Sequence, residues 1–434
     1  MTYKARADVL LGLQWGDEGK GKVVDYLTPG YGIVARFQGG PNAGHTLEFE
    51  SRKVVLHTIP SGIFRNKCIN IIGNGVVIDP LIFENEIRKT ELDLAYIQQH
   101  LFISSGSHLI IPSHRLLDAA LEKQKGESKI GSTLKGIGPA YTDKVSRNGL
   151  RVSDISSGQF DQKYQHLQSL HIATLKSTGF SPDDFVIESM TFGEYQKRWL
   201  GSLETLRKIS VIDSVYTINE ALKNGKKVLA EGAQGTLLDI DFGSYPFVTS
   251  SSTTAAGACT GLGIAPSRIG EVIGVFKAYC TRVGSGPFPT ELLGAEGEQI
   301  RKSGCEFGAT TGRPRRCGWL DLPALKFAVM INGVTRLVMT KADVIGVFET
   351  VKVCTGYSFR GKSVEFSSSA IDLSQVIPQF AELKGWKSDL QNIESFEQLP
   401  VELLEYIKFI ENYVEAPVEI VSTGPGREQT IVRK

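Results

Sequence analysis

Apolar and polar positions along this chain follow two rhythms that take turns. Short runs rich in Val, Ile and Leu predict strands over 9–13, 32–37, 69–72, 109–111, 227–230, 272–277, 337–340 and 418–422. Between them, apolar residues three or four apart predict helices over 20–27, 80–90, 115–124, 203–223, 320–331 and 401–414. Asp79 followed by Pro80 is a helix start, with the N-cap oxygen and the first-turn proline in the expected order. The stretch 48–57 alternates around a charged turn and predicts a hairpin. Strands alternating with helices point to the α/β class: a large, mostly parallel central sheet with helices on both faces. Residues about 160–206 are more polar and helical than their surroundings and predict a helical insertion. No Pro- or Ser-rich linker divides the chain, so 1–434 is expected to form a single domain carrying that insertion.

Composition narrows the function classes. With 434 residues, 41% of them hydrophobic, the chain can bury a large core. A net charge of +1 supplies no global field for nucleic acid or anionic membrane. The six cysteines are scattered, with no C-x-x-C, as in a reducing compartment. No signal-peptide pattern precedes the first strand and no run of about 18 apolar residues occurs, so a cytoplasmic location is expected.

The chemistry collects in glycine-rich loops that follow predicted strands. In an open parallel sheet such loops converge outside the carboxyl ends of the strands. The first, GDEGKGK at 16–22, has the G-x-x-x-x-G-K form of a phosphate loop, but Val23 stands where Ser or Thr would ligate Mg²⁺. Asp17 is the nearest replacement ligand, a hard anionic oxygen inside the loop. The second, FQGGPNAGHT at 37–46, sets His45 among small residues, as suits an acid or transition-state stabiliser. His57, His100, His108, His114, His166 and His171 have no such setting and read as structural. TKAD at 340–343 suits guanine, whose N1–H and 2-amino group both donate to one carboxylate; the other reading of Asp343 is a helix N-cap. The loop 308–319 carries Arg313, Arg315 and Arg316 among Thr and Gly, a set suited to carboxylates or phosphates. Gln234 and Thr249 are polar readers in later loops, and 422–430 can close over a base or ribose.

Taken in order, QWGDEGKGK, GPNAGHT, GIGPAY, EGAQG, GPFPTE, TTGRPRR, TKAD and STGPG, from about Asp8 to Val432, resemble the adenylosuccinate synthetase family. The resemblance implies a distant relative of P-loop NTPases that works as a homodimer. It implies a ligase that joins L-aspartate to IMP, using GTP and Mg²⁺, through 6-phosphoryl-IMP. That would be the first committed step from IMP to AMP. By the same resemblance Asp17 is the base, His45 stabilises the transferring phosphate, and Lys20 and Gln234 complete the catalytic set. Asp17 and the carbonyl of Gly44 match the metal ligands.

The resemblance further implies that GTP is held by Gly16, Asp17, Glu18, Gly19, Lys20, Gly21 and Lys22, with Gly44, His45, Thr46 and Arg315. Lys341, Ala342 and Asp343 with Ser422, Thr423 and Gly424 would read its base. IMP would meet Asp17, Lys20, Asn42, Ala43, Gly44, His45, Thr133, Gln234, Thr249 and Arg313, and Arg147 of the partner subunit. Aspartate would meet Ala309, Thr310, Thr311, Gly312, Arg313 and Arg315. Two departures stand out. GSTLKG at 131–136 replaces the family's usual G-T-T-G-R-G, with Leu134 and Lys135 for Gly and Arg. Phe242 replaces a usual His.

Other classes explain less. A regulatory GTP-binding protein would account for the phosphate loop and TKAD but not for the arginine loop. A relative using a guanine nucleotide as acceptor lacks the aspartate in the phosphate loop. A dinucleotide oxidoreductase would need G-x-G-x-x-G and an acidic ribose reader.

Overall fold

The structure, a computed structural model, describes residues 3–50, 52–126, 129–308, 312–367 and 369–433. At its centre is a ten-stranded sheet. Strand β1 (Ala7–Gly12) lies mid-sheet between Ile269–Lys277 and Val228–Glu231. Beyond Ile269–Lys277 come Arg336–Thr340, Val418–Ser422 and Thr430–Val432. Beyond Val228–Glu231 come β2 (Ile33–Arg36), Ile69–Ile72, Leu101–Ser104 and Ser210–Ile212. All pairings are parallel except that of Thr430–Val432, which turns back on Val418–Ser422. Side chains alternate between the two faces. Val9 and Leu11 join one core, while Leu10 joins Val23, Val34 and Ile273 in another. With both faces covered, the central strands are apolar throughout.

Helix α1 (Lys20–Leu27) follows the phosphate loop, and a hairpin of β3 (His45–Phe49) and β4 (Arg52–Leu56) follows β2. The helices Pro80–Thr90 and Val401–Val414 match the predicted bounds. Asp79 Oδ1 caps the first of them, accepting from the amides of Leu81 and Ile82 at 3.0 and 3.3 Å.

Two predicted elements differ from expectation. The helix predicted over 203–223 is two helices, Phe192–Arg207 and Ser214–Lys223, separated by strand Ser210–Ile212. The β-branched residues there pair on the sheet edge with Leu101–Ser104, and Asp213 starts the next helix by accepting from Val215 N at 3.1 Å. The strand predicted over 109–111 is only His108–Leu109, paired with Val77–Ile78 off the main sheet. Pro112 begins a helix immediately after it (Pro112–Gln124). Leu101–Ser104 and the helix Ile137–Ser146 carry too weak a periodicity to predict. Within about 160–206 lie the helices Phe160–Ser177 and Phe192–Arg207; the buried Trp199 indole of the latter donates to the Ile110 carbonyl at 2.9 Å. Among the described residues no helix is long and apolar enough to cross a membrane.

Candidate active site

The loops after β1, β2, Val228–Glu231, Arg336–Thr340 and Val418–Ser422 all line one cavity of about 1260 Å³ at the carboxyl edge of the sheet. Its wall includes residues 16–22, Asn42 to Thr46, Thr133, Gln234, Thr249, Arg313, Arg315, Lys341, Asp343, Ser422 and Gly424. Ala342, Thr423, Gly312 and Arg147 are not on it. Ala309, Thr310 and Thr311 lie outside the described residues. Arg147 ends the helix Ile137–Ser146 as an exposed, left-handed cap (φ 69°).

The phosphate loop is braced by its own acid. The Glu18 side chain is fully buried. Its Oε1 accepts from the amides of Gln14 and Gly16 at 3.1 and 2.8 Å, and Oε2 accepts from Lys20 Nζ at 2.6 Å. Glu18 therefore shapes the loop and holds Lys20 with its side chain. A Cβ on Gly21 would lie 2.8 Å from His45 Cβ, so this glycine lets β3 bring His45 against α1. Lys22, expected at the phosphates, donates to Ser422 Oγ and the Gly424 carbonyl at 2.7 Å and to the Gln429 carbonyl at 2.8 Å.

His45 is buried against charge. Its Nδ1 lies 2.6 Å from Glu231 Oε1, and Ser61 gives that carboxylate its hydroxyl at 2.6 Å and its amide at 2.8 Å. The fully buried Arg36 stands 3.9 Å from the same oxygen. Burial, and then the Arg36 charge, push the imidazole down to about 4 against the pull of Glu231. Burial pushes Glu231 up, but His45, Arg36 and Ser61 outweigh it and hold the carboxyl below its ordinary value. Neutral His45 therefore donates from Nδ1 to ionised Glu231. Its buried Nε2 has no protein partner.

Asp17 is held from the other side. It sits at φ 60°, a left-handed conformation that aspartate tolerates better than most residues, and its carboxylate is 29% exposed. Arg315 Nε pairs with it at 2.7 Å. Behind Arg315, Glu306 Oε2 accepts from Arg315 Nη1 at 2.5 Å, while Glu306 Oε1 accepts from Lys277 Nζ at 2.8 Å and Tyr279 OH at 2.5 Å. Burial raises Glu306, but Lys277, Arg315 and Lys341 overcome it and bring the carboxyl down to about 2. Charges thus alternate from the core outward: Lys277, Glu306, Arg315, Asp17.

The remaining candidates divide into two groups. Gln234 (φ 55°) donates to Asn42 Oδ1 at 3.3 Å and accepts from Gln38 at 3.1 Å, a polar pair on one wall. Lys341 Nζ donates to the Gly304 carbonyl at 2.9 Å, and Thr340 Oγ1 ties this loop to the Glu18 carbonyl at 2.7 Å. In the 131–136 loop Leu134 takes φ 56°, a strained position for a leucine. The buried Lys135 donates to the Pro41 carbonyl at 2.9 Å and so joins this loop to the His45 loop. Asp118 accepts from Ser132 Oγ and Gly136 N at 2.7 and 2.8 Å.

Sequence reasoning missed Glu231, whose signal is only an acid at the end of a strand, and Glu306, which follows the helix Ala295–Ser303 with no local signal. It also left His114 and His171 unconnected, though both meet Asp143 Oδ2 at 2.7 Å. The Ile111 amide donates to His114 Nδ1 at 2.9 Å, so Nε2 carries the proton given to Asp143. That tautomer serves a hydrogen-bonded clasp and leaves Nε2 no lone pair for a metal.

Residues 9–431 match the family model for adenylosuccinate synthetase. The chain is 57% identical over 426 residues to the adenylosuccinate synthetase of Flavobacterium johnsoniae, covering 98% of this chain and 99% of that protein. It is 55% identical over 428 residues to that of Bacteroides fragilis, covering 99% of each. Its fold is similar to that of fully ligated adenylosuccinate synthetase from Plasmodium falciparum, at 36% identity and a TM-score of 0.88, covering 99% of this chain and 100% of that one. The cyanophage S-2L succinoaminodeoxyadenylate synthetase, at 20% identity and a TM-score of 0.61 over 99% and 95%, shares the fold.

The family match, carried on the same fold, defines a ligase that uses a nucleotide co-substrate. The chain belongs to the adenylosuccinate synthetase family, which converts IMP and aspartate to adenylosuccinate with GTP as co-substrate in purine biosynthesis.

Proposed function

We propose that this chain joins L-aspartate to IMP in two steps within the one cavity. Asp17 takes the N1 proton of IMP, and the electron pair moves to O6. O6 attacks the γ-phosphorus of GTP, the bond from that phosphorus to the bridging oxygen breaks, and GDP leaves. The aspartate amine then adds at C6 of 6-phosphoryl-IMP and loses one proton, while the C6–O bond breaks and phosphate departs. One observation carries this reading: a carboxylate and a buried imidazole, each held by a charged partner from the interior, line the same cavity as the phosphate loop.

His45 supplies the complement to Asp17. Its Nε2 takes up a proton when phosphate oxygens arrive and donates it to the transferring group, while Glu231 stabilises the imidazolium. Lys20, released from Glu18, meets phosphate. Asp17 and the Gly44 carbonyl fit Mg²⁺: both are hard oxygen donors on the cavity wall, and Asp17 already pairs with a cation, Arg315. Bound Mg²⁺ would offset phosphate charge.

Gln234, Asn42, Ala43, Thr133, Thr249 and Arg313 hold IMP, and 309–313 with Arg315 hold aspartate. Lys341 and Asp343 read guanine, with Ala342 and Ser422 to Gly424 behind them. The chain acts as a single domain with a helical insertion at about 160–206, in the cytoplasm, as a homodimer in which Arg147 reaches the IMP site of the partner subunit. The test is product formation with IMP, GTP and aspartate each omitted in turn. Adenylosuccinate should appear only with all three; product from dGMP but none from IMP would overturn the choice of acceptor.

A further inference from the structure

The phosphate loop enters α1, and one face of α1 grips a different loop. The three donors of the Lys22 ammonium are all used, on Ser422 Oγ and the carbonyls of Gly424 and Gln429. Three residues on, along the same face of the helix, Asp25 accepts from Arg427 Nε and Nη2 and from Arg65 Nε. The Arg427 backbone amide donates to the Glu48 carbonyl of β3 at 3.2 Å, and its guanidinium lies 4.4 Å from the Phe49 ring centroid. The 422–430 loop is thus fastened to α1 at both ends. Burial holds the Lys22 amine down at about 8, and the charges acting on it include Asp343 and Lys341, the two readers of the base.

We propose that Lys22 and Asp25 form a clasp that sets the span between the phosphate loop and the purine loops, so that Lys22 is a positioning residue for guanine rather than a phosphate ligand. The inference rests on the GTP site proposed above. Lys20, held by the single carboxylate of Glu18, remains the phosphate lysine. The clasp makes the two ends of the nucleotide report to one helix. A triphosphate seated at its N-terminus finds the base readers at a fixed distance.

Steady-state kinetics of the full chain with GTP and with ITP, which lacks the 2-amino group, test this. In Lys22→Met, KM for GTP should rise about tenfold or more, because hydrogen bonds to a charged group are lost. The preference for GTP over ITP in kcat/KM should fall towards one, and KM for IMP and for aspartate should hold. Arg427→Met should move the same two quantities, less far. A fall in kcat with KM for GTP and the GTP-to-ITP preference unchanged would overturn the clasp and return Lys22 to the transferring phosphate. If Lys22→Met does not fold, an unchanged preference and KM in Arg427→Met overturns it alone. A wild-type chain that uses GTP and ITP alike would count against the guanine site itself, whereas KM for GTP would still report on the clasp.

Discussion

His45 and Asp17 line one cavity, yet the protein holds them in opposite ways. His45 is buried, backed by the carboxylate of Glu231 and kept neutral by burial and Arg36. Asp17 is partly open to solvent, backed by the guanidinium of Arg315 and, behind it, by Glu306 and Lys277. Each corner places a charge of the opposite kind behind the group that, in the proposed mechanism, changes its proton. The His45 corner is prepared to gain a positive charge beside phosphate. The Asp17 corner keeps an anion whose cationic partner stands where a metal or phosphate would compete for it. In the proposed mechanism a proton then leaves the acceptor on one side while charge is neutralised on the other, without either group losing its backing.

The largest way to break the comparison is Asp17→Asn. Turnover should be lost by more than the roughly 10²–10⁴-fold of a lone proton-transfer group, since the proposed metal ligand goes too, while thermal unfolding stays near wild type. Near-normal activity would remove Asp17 as base.

His45→Ala comes next. It should lower kcat by about 10²–10³-fold, as for loss of one transition-state donor, with little change in KM for IMP. A change confined to that KM would make His45 a binding residue.

Glu231→Gln should lower kcat less than His45→Ala but cost more stability, about 3–5 kcal/mol, because it leaves the buried Arg36 without its counter-charge; denaturant titration measures this.

The smallest effect sharpens the contrast in pH. Burial holds the imidazole of His45 at about 4 in the folded chain, against its ordinary 6.5 when unfolded. Between those values the unfolded chain binds the extra proton. The contribution of His45 to stability is therefore full above about 6.5 and falls as pH drops towards 4. With seven histidines in the chain, ring-labelled NMR can follow this one. Its titration should move upward once GTP is added, and an unmoved titration would separate His45 from the phosphates.

What could be read along the chain was local. The helix Pro80–Thr90 announced itself through Asp79 and Pro80, which act on their own neighbours. The loops carrying Asp17, His45, Gln234 and Asp343 stood out because glycine-rich stretches follow apolar runs, and strand ends in a parallel sheet converge. What backs those residues could not be read, because it comes from far away. Glu231 is 186 positions from His45, and Ser422 is 400 from Lys22. The same limit applies to the stretch 203–223, where helical periodicity lost to an edge pairing with Leu101–Ser104 that no nearby residue signals. Glu18 shows the reverse case. It lies inside the most conspicuous motif of the chain, yet its work is to accept the loop's own amides and hold Lys20.

The most direct test of the account is positional isotope exchange in GTP carrying ¹⁸O in the β–γ bridge, with IMP present and aspartate withheld. If Asp17 and His45 drive phosphoryl transfer to O6 before any C–N bond forms, bridge label should scramble into the β-phosphate non-bridging positions only when IMP is bound. Asp17→Asn should abolish the scrambling. Adenylosuccinate formation by a wild-type chain that shows no scrambling under conditions where bound GDP can rotate would contradict it.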